Sequence, residues 1–415
     1  MIRKITFIII LFIGIPLHYS QSIATFEIEL LKETDGLDIP LSVNLDDVTF
    51  LPDTAIILFE VEDGKKIPVP FQITQGVIRE LNWIIHPEEK DRSKYFFELA
   101  PGIPEKSGEI KATIDEGTLT IHSGNKNLLS YNFKTVYPPE GIDTAYKRSG
   151  FIHPLWSPHG QVLTRIQPPD HYHHYGIWNP WTHVLFEGDT VDFWNLGDKK
   201  GTVRFAKFIS ISNGYIFSEY KTLHDHFVFK KNGSEKVAIN ELQSVRVYKP
   251  EDDQDYYFVD INIEMNCASE SPVLLLEYRY GGLGLRTTEQ WNKDNSEVLT
   301  SEGKTRKDAD GTKARWCIVQ GEVDNDYAGV VIMSYPTNYN YPEPLRIWPE
   351  NQNGRGDMFV NFSPTKDKNW LLEPGKKYVL KYRFVVFNNH LSKEEAESAW
   401  QYFANSPKVT VHLKN

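Results

Sequence analysis

The stretch Thr25-Phe26-Glu27-Ile28-Glu29-Leu30 alternates polar and apolar residues without a break, which is the period of a strand with one face buried. Similar short runs follow along the chain, as in Lys94-Tyr95-Phe96-Phe97-Glu98-Leu99 and Lys207-Phe208-Ile209-Ser210-Ile211. Turn tripeptides punctuate them: Glu62-Asp63-Gly64, Asp115-Glu116-Gly117, Ser212-Asn213-Gly214 and Lys231-Asn232-Gly233. Strands separated by tight turns predict an all-β chain of antiparallel hairpins.

One helix is expected, near the C-terminus. Ser392 followed by Glu395 forms a capping box ahead of the apolar positions Ala396, Ala399, Trp400 and Phe403, a face suited to packing on a sheet. The paired prolines of Tyr137-Pro138-Pro139-Glu140-Gly141 exclude helix and central strand, so the chain is divided there into an N-terminal β region, 23–140, and a C-terminal region, 141–415.

The chain opens with Met1-Ile2-Arg3-Lys4 and an apolar run from Ile5 to Pro16, the pattern of a secretory signal over residues 1–22 with cleavage after Ser22. A membrane-spanning helix needs roughly 20 apolar residues, so this run is too short, and no later segment is long enough. The expectation is a periplasmic or secreted protein without membrane insertion. The 415 residues, 40% of them hydrophobic, can bury a large core. A net charge of -11 repels nucleic acid but leaves room for a small anionic ligand held by a local arginine. The two cysteines, Cys267 and Cys317, are too few for a disulfide framework and read as buried thiols.

Chemistry concentrates in one stretch. Eight of the 13 histidines (His153, His159, His171, His173, His174, His183, His224, His226) lie between positions 153 and 226. The densest part is Pro168-Pro169-Asp170-His171-Tyr172-His173-His174-Tyr175-Gly176-Ile177-Trp178-Asn179-Pro180-Trp181, with Asp192, Trp194 and Asn195 downstream. Three uses of this stretch compete. His171 and His173, two apart on an extended chain, would face the same way and bind a divalent metal with Asp170 or His174. Alternatively, imidazoles would act as base and acid, their tautomers fixed by Asp170 or Asp192. In a third reading Trp178, Trp181 and Trp194 form a platform for a sugar ring, with Asn179 and the histidines as hydrogen-bonding groups. The plainer alternative is a set of packed core histidines and tryptophans, but several imidazoles beside a carboxylate are costly to bury without a purpose.

Further along, Gly281-Gly282-Leu283-Gly284-Leu285-Arg286-Thr287-Thr288-Glu289 carries an arginine and a glutamate after glycines, without the strand-then-helix context of a dinucleotide loop. Arg315-Trp316, Arg346-Ile347-Trp348 and Asn353-Gly354-Arg355-Gly356-Asp357 read more readily as structural stacks or ion pairs than as ligand contacts. Asp308-Ala309-Asp310-Gly311 lacks the later ligands of a calcium loop and reads as an exposed turn.

These motifs resemble the PmoA-like domain family of bacteria, often labelled methane oxygenase. The likeness rests on His153-Pro154-Leu155, Gly160-Gln161-Val162-Leu163-Thr164, the Asp170-His171-Tyr172-His173-His174-Tyr175-Gly176 core, Gly281 to Arg286, and Ala314-Arg315-Trp316. It covers roughly the C-terminal two-thirds; the family carries arginine where this chain has Tyr175. A membrane monooxygenase needs several spanning helices, so the methane label does not fit. The resemblance implies instead a large antiparallel β-sandwich similar to the galactose-mutarotase supersandwich, in proteins of polysaccharide-utilising bacteria. It also implies an activity like that of oligosaccharide dehydratases acting on ulvan fragments. Such an enzyme removes water from a terminal uronic acid to leave a 4,5-unsaturated sugar, a reading that requires no cofactor while leaving a divalent metal at the histidine cluster open. The chemistry assigns proton transfer to His173 or His174, then His171 and Tyr175. It assigns substrate binding to Arg286, Arg165 or Arg315 at the carboxylate, with His153, Trp178, Trp181 and Trp194. A glycoside hydrolase using Asp170 or Asp192 with Glu289, and a non-catalytic oligosaccharide-binding protein, are the competing functions.

Overall fold

The computed structural model describes residues 22–30, 36–87, 92–104 and 108–414. The expected signal segment lies outside the described residues, apart from Ser22 itself. Within them, every paired strand is antiparallel and a single α-helix, Lys393–Ala404, is present. No helix among the described residues is long and apolar enough to cross a membrane.

Two large sheets form the body. One has eight strands, among them the long hairpins Gly201–Ser212, Phe217–Phe229, Glu235–Tyr248 and Tyr256–Cys267, continued by Tyr378–Asn388 and Asp326–Ser334. The other has nine, with Phe359–Phe362, Gly284–Arg286, Ile177–Trp178, Phe151–Leu155 and Lys126–Asn132 at its centre. Their inner faces meet in one apolar core, where Leu129, Ile177, Leu285 and Val360 of the nine-stranded sheet join Val245, Ile261, Val330 and Phe384 of the eight-stranded one. This is a large antiparallel β-sandwich with one helix. Burial of the inner face of each strand drives the stacking.

A second, smaller pair of sheets packs a separate core of Phe26, Ile28, Leu58, Trp83 and Phe97. Strand Ala24–Glu29 is buried at alternate positions, as its sequence requires. It pairs on one side with Lys94–Pro101 and on the other with the last strand, Val409–Leu413, so the chain's end returns to its beginning. The division expected at 140 falls inside the large sandwich. Lys126–Asn132 and Phe151–Leu155 are hydrogen-bonded neighbours, so the proline-rich segment only connects adjacent strands. The change of sheet comes earlier, between Lys94–Pro101 and Ile110–Asp115.

The helix begins as expected. The Ser392 side chain accepts from the Glu395 backbone N–H, and the Glu395 carboxylate accepts from the Ser392 backbone N–H. Ala396, Ala399 and Trp400 bury against Trp316, Ile318, Val331 and Val385 on the outer face of the eight-stranded sheet. The run Lys207 to Ile211 is a strand, but it lies at the sheet edge with Ile209 and Ile211 exposed rather than half-buried. Cys267 and Cys317 are buried free thiols.

Candidate functional site

The site lies at one end of the nine-stranded sheet, where neighbouring strands release their loops together. Pairing of Ile177 with Leu285 sets Arg286 beside Gly176, and pairing of Arg286 with Phe359 brings Trp348 alongside through its N–H to the Phe359 carbonyl. Gly176 has a φ of +56°, and a Cβ there would stand 2.2 Å from the Ile152 carbonyl oxygen, so only glycine lets the loop return so close to the neighbouring strand.

The preceding residues are not the extended chain expected. Two successive turns, closed by the N–H of His171 on the Pro168 carbonyl and the N–H of His174 on the His171 carbonyl, fold Asp170 to His174 into a compact knuckle. The outcome is nonetheless convergence: one nitrogen from each of His171, His173 and His174 lies within 4.8 Å of the others. Ring centroids are 4.8 Å apart for His171 and His174, 4.9 Å for His173 and His174, and 5.3 Å for His171 and His173.

Asp170 ties the knuckle to the sheet. Its carboxylate pairs with His171 Nδ1 at 2.8 Å, with the Arg286 guanidinium at 2.9 Å and with the Asn353 amide at 3.0 Å. Arg286 is buried, lies over the Trp348 ring with its guanidinium carbon 4.6 Å from the centroid, and stands 3.7 Å from Asp357. Burial opposes ionisation of Asp170, but the His171 hydrogen bond and the Arg286 charge outweigh it and hold the carboxyl well below its usual range. Burial holds His174 far below the ordinary imidazole value and His173 down at about 3, with the neighbouring imidazoles adding to the effect. Both rings are therefore neutral at pH 7. His171 and His173 are half-buried, while His174 is buried among Trp178, Trp194, Trp348 and Phe359.

Several candidate residues prove to serve elsewhere. Tyr175 is buried, its hydroxyl donating to the Tyr146 carbonyl and accepting from Gln167, and burial pushes it up to about 12, which removes it from proton transfer at the surface. Trp178 and Trp194 are buried as the floor beneath His174 rather than an open platform, and Trp181 packs against Trp370 in the main core. Arg315 pairs with Glu397 of the helix at 2.8 Å and stacks on Trp400, on the outer face of the other sheet. Asp192 accepts the N–H groups of Trp194 and Asn195 and fixes no imidazole. Arg165 does reach the site, with its guanidinium paired to the exposed Glu289 at 3.2 Å. His153 stands beside Gly176, pairs with Thr164 at 2.9 Å and is held by burial down at about 4.

The histidine crowding itself divides into separate places. His224 and His226 flank Glu241 at 3.0 Å each between the sheets, joined by Tyr131 and by Asn179, whose amide donates to Glu241 rather than facing a ligand. His159 pairs with Asp326 and Asp255, and His183 packs on Tyr278. Sequence reasoning also set aside Trp348, Asn353 and Asp357 as structural, yet all three stand at the site. The signal was the Gly-rich turn Asn353 to Asp357 after an aromatic, which is uninformative until the fold brings it opposite Asp170.

Fold and site together define a β-sandwich protein with a histidine, aspartate and arginine cluster at the mouth of one sheet. Residues 118–401 match the model of DUF6807, a family of unknown function, and the chain belongs to that family. No curated protein matches it. Among solved structures, a mutant of the heparan sulfate lyase HepC from Pedobacter heparinus is similar over 71% of this chain, at 10% identity and a TM-score of 0.34. This chain spans only 38% of that lyase, and a likeness so distant carries no argument about activity.

Proposed function

We propose that this protein is a carbohydrate-active dehydratase that eliminates water from the terminal uronic acid of an oligosaccharide of the ulvan type, leaving a 4,5-unsaturated sugar, in an exported setting. The observation that carries the reading is the Asp170 knuckle: an imidazole held in place by a carboxylate, beside a second half-buried imidazole, at one end of the nine-stranded sheet. In the elimination the C5 proton is removed, the C4–O bond breaks, the electrons form the C4=C5 bond, and the departing hydroxyl leaves with a proton as water. No oxidant or reductant is consumed. The half-buried His171 and His173 hold the water that accepts and returns the proton. His174, buried behind them, positions the pair and does not touch substrate.

A glycoside hydrolase would need two facing carboxylates free to act. Asp170 is committed to His171 and Arg286, and Asp192 to its own turn, so the cluster favours proton transfer by imidazole. The test is to incubate the full chain with saturated uronate-terminated oligosaccharides. The expected result is a product lighter by one water, with the ultraviolet absorption of a conjugated double bond. Products that gain water would overturn the reading in favour of hydrolysis. His171→Ala is expected to lower kcat/KM by about 100-fold or more, the usual worth of a positioned acid or base.

A further inference from the structure

The elimination leaves one requirement that no exposed, unpaired guanidinium among the described residues of the site meets; Arg286 Nη1 has no hydrogen-bond partner but is itself buried. The uronate carboxylate must be neutralised so that its α-proton becomes acidic, yet Arg286 is buried against Asp170 and Asp357, and Arg165 is paired with Glu289. Arg315 lies on the far sheet.

We infer that His171, His173 and His174 together hold one divalent transition-metal ion of the zinc class, which supplies that positive charge. Each offers a ring nitrogen, all within 4.8 Å of one another. Three nitrogens at about 2.1 Å from a tetrahedral ion stand roughly 3.4 Å apart, so rotations of the half-exposed His171 and His173 rings close the set. The Nδ1 atom of His174 is buried with no hydrogen-bond partner among the described residues, a costly condition for a neutral imidazole in this cluster. Asp170 bonds His171 through Nδ1 and leaves Nε2 free, the arrangement in which a carboxylate orients a metal-binding imidazole. Three imidazoles and no oxygen ligand select zinc, cobalt, nickel or copper over calcium and magnesium. Three protein ligands leave an open position, the mark of a catalytic rather than a structural ion.

The charge role rests on the dehydratase reading, whereas the binding itself does not. With the ion in place, a hydroxide on it takes the C5 proton, and the resulting bound water returns a proton to the departing O4. Hydroxide is thereby restored, and one water leaves per turnover.

The test is to strip the purified full chain with a chelator and titrate it with cobalt(II), reading the visible absorption of the bound ion, and in parallel with zinc(II) by calorimetry. The expected result is one ion per chain, lost in His171→Ala and in His173→Ala but retained in His122→Ala, a histidine of the distant strand Thr118–Ser123. Both site rings are half-exposed, so these variants keep their fold, as circular dichroism would verify. Failure to bind either metal at equimolar concentration, or uptake that survives the double variant His171→Ala/His173→Ala, overturns the inference. So does full dehydratase activity of the stripped protein, which would leave the proposed function standing. Stoichiometric metal without any dehydration would do the opposite, keeping the metal site and removing the dehydratase.

Discussion

At the scale of single residues, Asp170 and Glu343 show how burial sets chemistry. Asp170 is the carboxylate that bridges His171 and the buried Arg286, so Asp170→Asn both frees the imidazole and strips the guanidinium of its nearer charged partner. Leaving a buried charge wholly unpaired costs about 3–5 kcal/mol, and here Asp357 stays 3.7 Å from Arg286. Asp170→Asn should therefore lower the unfolding free energy by less than that full penalty, and adding Arg286→Met should recover part of it; a double-mutant cycle by denaturant unfolding measures the coupling. Glu343 is buried between the sheets, its carboxyl bonded to Ser334, Asn338 and Tyr382, and burial pushes it up to about 7. Its folded value is raised above the unfolded one, so the group's contribution is full below about pH 4.5. It is lost as pH rises through about 7, at a cost of order 3 kcal/mol. Glu343→Gln, which keeps a neutral hydrogen-bonding group, should flatten stability across that window, as thermal melts from pH 4 to 8 would reveal.

At the scale of elements, those specified by local pattern were legible in the sequence and those specified by contact were not. The helix at Lys393–Ala404 needed only its cap and apolar face. Ser392→Ala removes that cap and should destabilise the helix by about 1 kcal/mol, seen as faster amide exchange in its first turn. Strand Ala24–Glu29 was equally plain from alternation. The histidine knuckle was not, because the sequence shows which residues are neighbours but not whether the chain between them is extended or turned. Both conformations bring His171 and His173 to one side, for different reasons, and the turned one is what brings His174 in as the third.

At the scale of the whole molecule, the last strand closes the first sheet. Val409–Leu413 pairs along Ala24–Glu29, so a chain truncated after 406 leaves that strand as an unpaired edge beside the core of Phe26 and Trp83. The truncated protein should show early proteolysis confined to residues 22–104 while the large sandwich keeps its exchange protection. Loss of protection throughout both units would instead mean that they unfold as one.

What the sequence determined by itself was the antiparallel β class, the C-terminal helix and the stretch in which chemistry is concentrated, since periodicity, turns and caps are local properties of neighbouring residues. Tertiary structure alone decided which of those residues meet. It joined Asp170 to Arg286 across more than a hundred positions, sent Arg315 to the opposite sheet, and buried Trp181 and Tyr175 away from the mouth. The reason is physical: side-chain pairing across a sheet depends on register and stacking, which are fixed by the burial of whole faces and are written in no single segment.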